Sequence, residues 1–123
     1  MILIAKILVV DDSILMTSIL RNFIHRTDPA IDVIEAHTGE EALGLFEKER
    51  PALVFLDIRM PGIDGLEALE RLMKLYPLAK IVMCTSVKED ALVARATSAG
   101  AVGYILKPFR QEQIEEMVKK NLA

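Results

Sequence analysis

Five short apolar runs punctuate the chain, and a longer segment of helical period follows each one. Residues 4–10 are β-rich and uninterrupted, the pattern of a strand buried on both faces. Ser13 is placed to cap a helix in which Leu15, Ile19 and Phe23 lie beside Met16, Leu20 and Ile24. Two adjacent i, i+4 rows predict one broad apolar face. Pro29 ends that segment, and residues 32–36 read as a second strand. Thr38 or Gly39 opens a second helix with Ala42, Leu43 and Phe46 inward, ending at Pro51. Residues 52–56 predict a third strand. Residues 59–65 form a loop with turn chemistry at Pro61-Gly62 and Asp64-Gly65. Leu66, Leu69, Leu72 and Met73 mark a third helix that stops near Tyr76-Pro77. A fourth strand covers 80–84, and a short Ala-rich helix covers 88–99, with Gly100 suited to its C-cap. A fifth strand covers 102–106. The last helix covers 111–122, with Ile114, Val118 and Leu122 inward.

Strict β–α alternation predicts a single α/β domain over residues 1–123, with a five-stranded parallel sheet between layers formed by five helices. Right-handed crossovers leave few topologies open. The length of 123 residues suits one domain, and an apolar content of 52% is ample for a core and excludes disorder. No linker, repeat or low-complexity tract interrupts the pattern. A net charge of −3 with no basic run argues against direct nucleic-acid binding. Cys84 is the only cysteine and cannot form an internal disulfide, which fits a reducing, cytoplasmic compartment. The apolar start, residues 1–10, is too short for a signal peptide and runs straight into Asp11-Asp12. No stretch reaches the roughly 18 apolar residues that a membrane span needs.

The chemistry sits where the strands end. The first run ends in Asp11-Asp12, the third in Asp57, the fourth in Thr85 and the fifth in Lys107. In an open parallel sheet the carboxyl ends lie side by side, and ligand chemistry gathers there. In a flavodoxin-like strand order, 2-1-3-4-5, the first and third strands are neighbours at roughly 4.8 Å. Three carboxylates at that spacing repel one another unless a cation or protons intervene. A Mg²⁺-type ion with oxygen ligands would relieve the repulsion. The ammonium of Lys107 can grip a phosphoryl oxygen, and the hydroxyl of Thr85 can donate one hydrogen bond to the same group. Asp57 is central, and a carboxylate nucleophile can take a phosphoryl group as an acyl phosphate.

These residues resemble the receiver domain of two-component response regulators. The motifs are Val9-Val10-Asp11-Asp12-Ser13, the run from Leu56-Asp57 through Arg59-Met60-Pro61-Gly62 to Asp64-Gly65, Thr85-Ser86, and Lys107-Pro108-Phe109. Each alone is weak; all four in this order and spacing are specific. The length is similar to that of the stand-alone, chemotaxis-type receivers, and the alternative is a receiver excised from a larger DNA-binding or enzymatic regulator.

The resemblance implies that Asp57 accepts a phosphoryl group from a phosphohistidine on a sensor histidine kinase or phosphotransfer protein. It implies Mg²⁺ held directly by Asp12, Asp57 and the backbone carbonyl of Arg59, with Asp11 reaching the ion mainly through water. Lys107 and Thr85 would contact the phosphoryl group, and Lys107-Pro108 would be a cis peptide. Thr85 and Tyr104 would be the switch pair. The aromatic ring would follow the hydroxyl inward, remodelling the face built by helix 88–99, strand 102–106 and helix 111–122 for a downstream effector or for a phosphorylation-dependent dimer. Such a chain is not an enzyme beyond assisting its own phosphorylation and dephosphorylation.

Two positions depart from the commonest pattern. Arg59 places a long cation two residues past the acceptor, where it would overhang the site, and Val87 is apolar two residues past Thr85. Both are expected to alter access of the hydrolytic water. A flavin or nucleotide module would want a Gly-rich or hydroxyl-rich loop after the first strand, where this chain has Asp11-Asp12. An aspartyl phosphatase would want a carboxylate at position 59, where this chain has Arg. His25 and His37 read as surface or helix-end residues. Cys84, Met16, Met73 and Met83 read as core, and Glu40-Glu41 read as solvated helix charges.

Overall fold

The computed structural model describes residues 4–122; Ala123 and residues 1–3, the start of the apolar run weighed above as a signal peptide, lie outside the described residues. The elements alternate as β1 (Lys6–Val10), α1 (Ile14–Thr27), β2 (Asp32–Ala36), α2 (Gly39–Glu49), β3 (Leu53–Leu56), α3 (Gly65–Leu75), β4 (Ile81–Thr85), α4 (Asp90–Ala99), β5 (Gly103–Leu106) and α5 (Gln111–Leu122). The strands pair in parallel in the order β2-β1-β3-β4-β5, the flavodoxin-like order expected from the sequence. Central position explains composition. β3 and β4 are buried at every residue, whereas the edge strands β2 and β5 are buried only in part.

Alternation along each strand divides the core in two. Leu8, Val10, Val54, Leu56 and Met83 face the side covered by Ala42, Phe46, Leu66, Leu69 and Ala96 of α2, α3 and α4. Ile7, Val9, Leu53, Phe55, Val82 and Cys84 face the side covered by Leu20 and Ile24 of α1 and Ile114 and Val118 of α5. Full burial of each large aliphatic or aromatic side chain contributes roughly 1.5–3 kcal/mol. The result is a three-layer sandwich whose central strands end side by side. Among the described residues, no helix is long and apolar enough to cross a membrane.

Helix starts follow their caps. Ser13, Thr38 and Asp64 each accept from a backbone amide one turn in, at Met16, Glu41 and Glu67 respectively. Each such cap is worth about 1 kcal/mol. Gly100 closes α4 in the left-handed conformation (φ 110°). Arg50 does the same for α2 with φ 46°, and its guanidinium lies 4.4 Å from the centre of the Tyr76 ring, a cation–π contact that offsets the backbone cost.

Several boundaries differ from expectation. β1 starts at Lys6, because its partner strand β2 begins opposite it at Asp32. β4 runs on through Thr85, which pairs with Leu106. β3 and β5 start one residue later than expected, although the amides of Ala52 and Val102 already bond to neighbouring strands. α4 starts at Asp90 rather than 88, and its N-cap residue Glu89 makes no side-chain capping bond. In α1 both apolar rows are covered only toward the C-terminal end of the helix, where Phe23 also packs against the core and edge-on to Phe109. Leu20 and Ile24 are buried together with Thr17, whereas Ile14 and Leu15 are 70% and 71% exposed. Met16 is only half-buried and belongs to neither core, which corrects its reading as a core residue. Met83 is core and Met73 packs at the core's margin.

Candidate functional site

Hydrogen-bond ladders that continue one residue past the strands fix the backbone of the site. The Asp11 amide donates to the Ala36 carbonyl, the Asp57 amide to that of Val10, and the Lys107 amide to that of Thr85, at 3.1, 3.0 and 2.9 Å. Each polar residue that ends an apolar run is therefore held by the sheet itself. The lysine is carried by the Lys107-Pro108 peptide, which is cis, as the resemblance implied.

Asp11, Asp12 and Asp57 come together as expected, each offering a carboxylate oxygen within 4.8 Å of the others. Asp11 and Asp57 are only 2% and 6% exposed, while Asp12 faces solvent. One Asp11 oxygen accepts from the Ser13 amide (2.9 Å) and the other from Lys107 Nζ (2.5 Å). One Asp57 oxygen accepts from the Ile58 amide (2.8 Å) and the other from Lys107 Nζ (3.1 Å). Burial by itself would lower the Lys107 pKa. The hydrogen bond to Asp11 and the charges of Asp57 and Asp11 outweigh it and hold the ammonium above the usual lysine value. One ammonium against three carboxylates leaves the cleft two charges in deficit. A hard divalent cation with oxygen ligands fits that deficit, and the donor set is all oxygen, as Mg²⁺ prefers.

Thr85 is fully buried, and its hydroxyl oxygen accepts from the Val87 amide at 3.3 Å. Tyr104 is half-buried, and its hydroxyl donates to the Val87 carbonyl at 2.5 Å. Burial, then the charges of Glu89 and Asp57, push the Tyr104 phenol up in pKa. The two expected switch residues thus meet at one residue, Thr85 at its amide and Tyr104 at its carbonyl. The sequence singled out Val87 for its apolar side chain, which is indeed buried, but no sequence signal marked its backbone as this junction.

The loop after Asp57 is tightly seated. A Cβ on Gly65 would lie 1.8 Å from the Asp57 carbonyl oxygen, so only glycine lets α3 start this close to β3. The Gly65 amide donates to the Ile58 carbonyl at 2.7 Å, and Ile58 and Met60 are buried. Arg59 is 70% exposed and points its guanidinium toward Glu89, at 3.8 Å. With Asp12, Pro61, Val87 and Leu92 it lines a cavity of about 520 Å³ beside the carboxylates. His25 bonds the Ile31 carbonyl, and His37 lies among Thr17, Glu35 and Glu41. Neither histidine belongs to the acidic cluster. Glu40 is not merely a solvated charge, because its carboxylate accepts from the Ile63 amide at 3.1 Å, across from α2. A glutamate in a first helical turn looks the same in sequence whether or not such a partner exists.

The family model of the response regulator receiver domain matches residues 7–119. The chain belongs to that family. Chemotaxis protein CheY of Listeria monocytogenes is 37% identical over 115 residues, covering 94% of this chain and 96% of that one. The CheY-like receiver domain protein of Methanospirillum hungatei superimposes with a TM-score of 0.91 at 30% identity, covering 98% of this chain and 94% of that one. CheX–CheY–BeF₃–Mg²⁺ from Borrelia burgdorferi gives a TM-score of 0.88 at 27% identity, covering 97% of this chain and 90% of that one. Membership makes this receiver domain a phosphoacceptor signalling module of the two-component type.

Proposed function

We propose that Asp57 is the residue that carries the phosphoryl group. The observation that carries this reading is its place: the end of the central strand β3, nearly buried, bonded to Lys107 Nζ and within 4.8 Å of two further carboxylates. An Asp57 oxygen attacks the phosphorus of a phosphohistidine on a sensor kinase or phosphotransfer protein. The O–P bond forms, the N–P bond breaks, and the imidazole leaves with a proton. Lys107, already cationic between Asp11 and Asp57, holds a phosphoryl oxygen through the transfer. Asp11, Asp12, Asp57 and the backbone carbonyl of Arg59 would hold Mg²⁺, which, when bound, offsets the negative charge of the carboxylates and phosphoryl oxygens.

The Thr85 hydroxyl accepts from Val87 and keeps its own proton free to donate to the phosphoryl group. A pull on Thr85 reaches Tyr104 through Val87, which supports these two as the switch pair. The responding surface is the α4–β5–α5 face, where Val102 and Leu106 are each 40% exposed and available to an effector or to a second activated copy. The domain is not an enzyme acting on a separate substrate, and it works in the cytoplasm, where its donors lie.

Intact mass after incubation with acetyl phosphate and Mg²⁺ tests the reading. Wild type is expected to gain one phosphoryl mass, lost in chelator and absent in Asp57→Ala. A gain that survives Asp57→Ala moves the acceptor elsewhere, and no gain in wild type withdraws the activity.

A further inference from the structure

The first turn of α2 presses against the loop that carries the Arg59 carbonyl. Glu40 Oε1 accepts from the Ile63 amide at 3.1 Å, across 23 residues of chain. That amide holds the Glu40 carboxyl below the usual carboxylate range. Gly62 adopts φ +79°, and a Cβ there would lie 2.7 Å from the same Glu40 oxygen. On the other side of the contact, a Cβ on Gly39 would already be 2.4 Å from the Ile63 side chain. A Cβ on Gly39 would also lie 2.9 Å from the Ile63 carbonyl oxygen, so backbone sets the approach on the α2 side, whereas at Gly62 the atoms met are the Glu40 carboxylate itself. Among the described residues, Glu40 is the only side chain from outside the β3–α3 connection that bonds the backbone of residues 58–64. The opposite end of that loop is pinned where Gly65 meets Asp57.

We propose that Glu40 is a positioning residue for the cation site: from α2 it holds the loop so that the Arg59 carbonyl is presented to the metal. The inference rests on the reading that this carbonyl is a Mg²⁺ ligand. Groups that orient ligands tune metal affinity without touching the ion. Linkage makes the effect reciprocal, so a bound cation tightens the Glu40–Ile63 contact. A purely structural hydrogen bond would change the melting temperature and leave the affinity for Mg²⁺ alone.

The test is a Mg²⁺ titration followed by backbone amide NMR shifts, on wild type, Glu40→Ala and Glu40→Gln, below the measured melting temperature of each. Glu40→Ala is expected to bind Mg²⁺ about three- to tenfold more weakly. Glu40→Gln keeps an oxygen that can accept the same bond, and is expected to stay within about twofold of wild type. Hydrogen exchange at the Ile63 amide is expected to slow on Mg²⁺ addition in wild type and not in Glu40→Ala. Wild-type affinity in Glu40→Ala, or an equal loss in Glu40→Gln, overturns the inference while the metal site stands. Absence of any Mg²⁺ response in wild type overturns the metal site itself.

Discussion

Replacing Asp12 by Asn, which keeps the shape and removes the charge, is expected to raise the melting temperature of the metal-free protein. The Asp12 oxygen lies within 4.8 Å of oxygens on Asp11 and Asp57. At that separation a like-charge pair costs about 0.9 kcal/mol in water and about 3.5 kcal/mol at the effective dielectric near a protein surface. Asp12 is exposed, so the lower end applies and the two repulsions total about 2 kcal/mol. The Lys107 ammonium sits against Asp11 and Asp57; taken as one opposite charge at a similar separation from Asp12, it returns about 0.9 kcal/mol, leaving a net gain of about 1 kcal/mol on neutralisation. Asp12 takes part in no side-chain hydrogen bond among the described residues, so none is lost in the exchange. For a domain of this size about 1 kcal/mol is about 4 °C in Tm. Scanning calorimetry in chelator reads it directly. In Mg²⁺ at ten times the wild-type Kd, wild type gains about 1.4 kcal/mol from binding, and the order of the two melting temperatures inverts once loss of the Asp12 ligand weakens binding by more than about tenfold, which holds the variant's gain below about 0.4 kcal/mol. If Asp12→Asn melts at or below wild type in chelator, the carboxylates do not repel as argued, and the cluster is not a site awaiting compensation.

Gly65→Ala is expected to cost about 3 kcal/mol, or roughly 10 °C in Tm, because a methyl 1.8 Å from the Asp57 carbonyl oxygen forces backbone rather than side chain to move. A change under 2 °C, about half a kcal/mol, would show that α3 can swing away freely. Lys107→Met leaves Asp11 and Asp57 without their cation and is expected to lower stability at neutral pH by about 3 kcal/mol, partly restored by Mg²⁺. Because the Lys107 pKa is raised above 10.5 in the fold, its contribution is present below that value and is lost as pH rises through the folded pKa. Alkaline denaturation curves of wild type should therefore contain a limb that Lys107→Met lacks, and coincident curves would refute the pairing.

The strands and the site were legible because buried parallel strands leave long apolar runs, and the residue that stops each run is the one the sheet edge presents; the strand order came with the flavodoxin-like pattern and not from the runs. Asp11, Asp57, Thr85 and Lys107 were placed by that logic alone, and Ser13 and Asp64 by cap chemistry. Periodicity could not say that Leu15 and Met16 stay outside the core while Leu20, Ile24 and Phe23 reach it, since that depends on the neighbours above the sheet and not on spacing. It could not show that Lys107 binds Asp11 more closely than Asp57, nor that Thr85 and Tyr104 share Val87, because those contacts join residues far apart in the chain. Glu40 failed for the same reason: its partner Ile63 is supplied by another loop.

The single thiol of Cys84 lies on β4, 2% exposed, and burial pushes it up to about 12. Alkylating reagents consume thiolate, so at neutral pH Cys84 is silent until the sheet parts. Its labelling rate becomes a clock for opening of the central strands, readable on unmodified protein by mass alone. Because the chain carries only this one cysteine, any thiol introduced on the surface would react by itself. Dyes or spin labels can then be set on α2, α4 or the loop after Asp57 without removing the native residue.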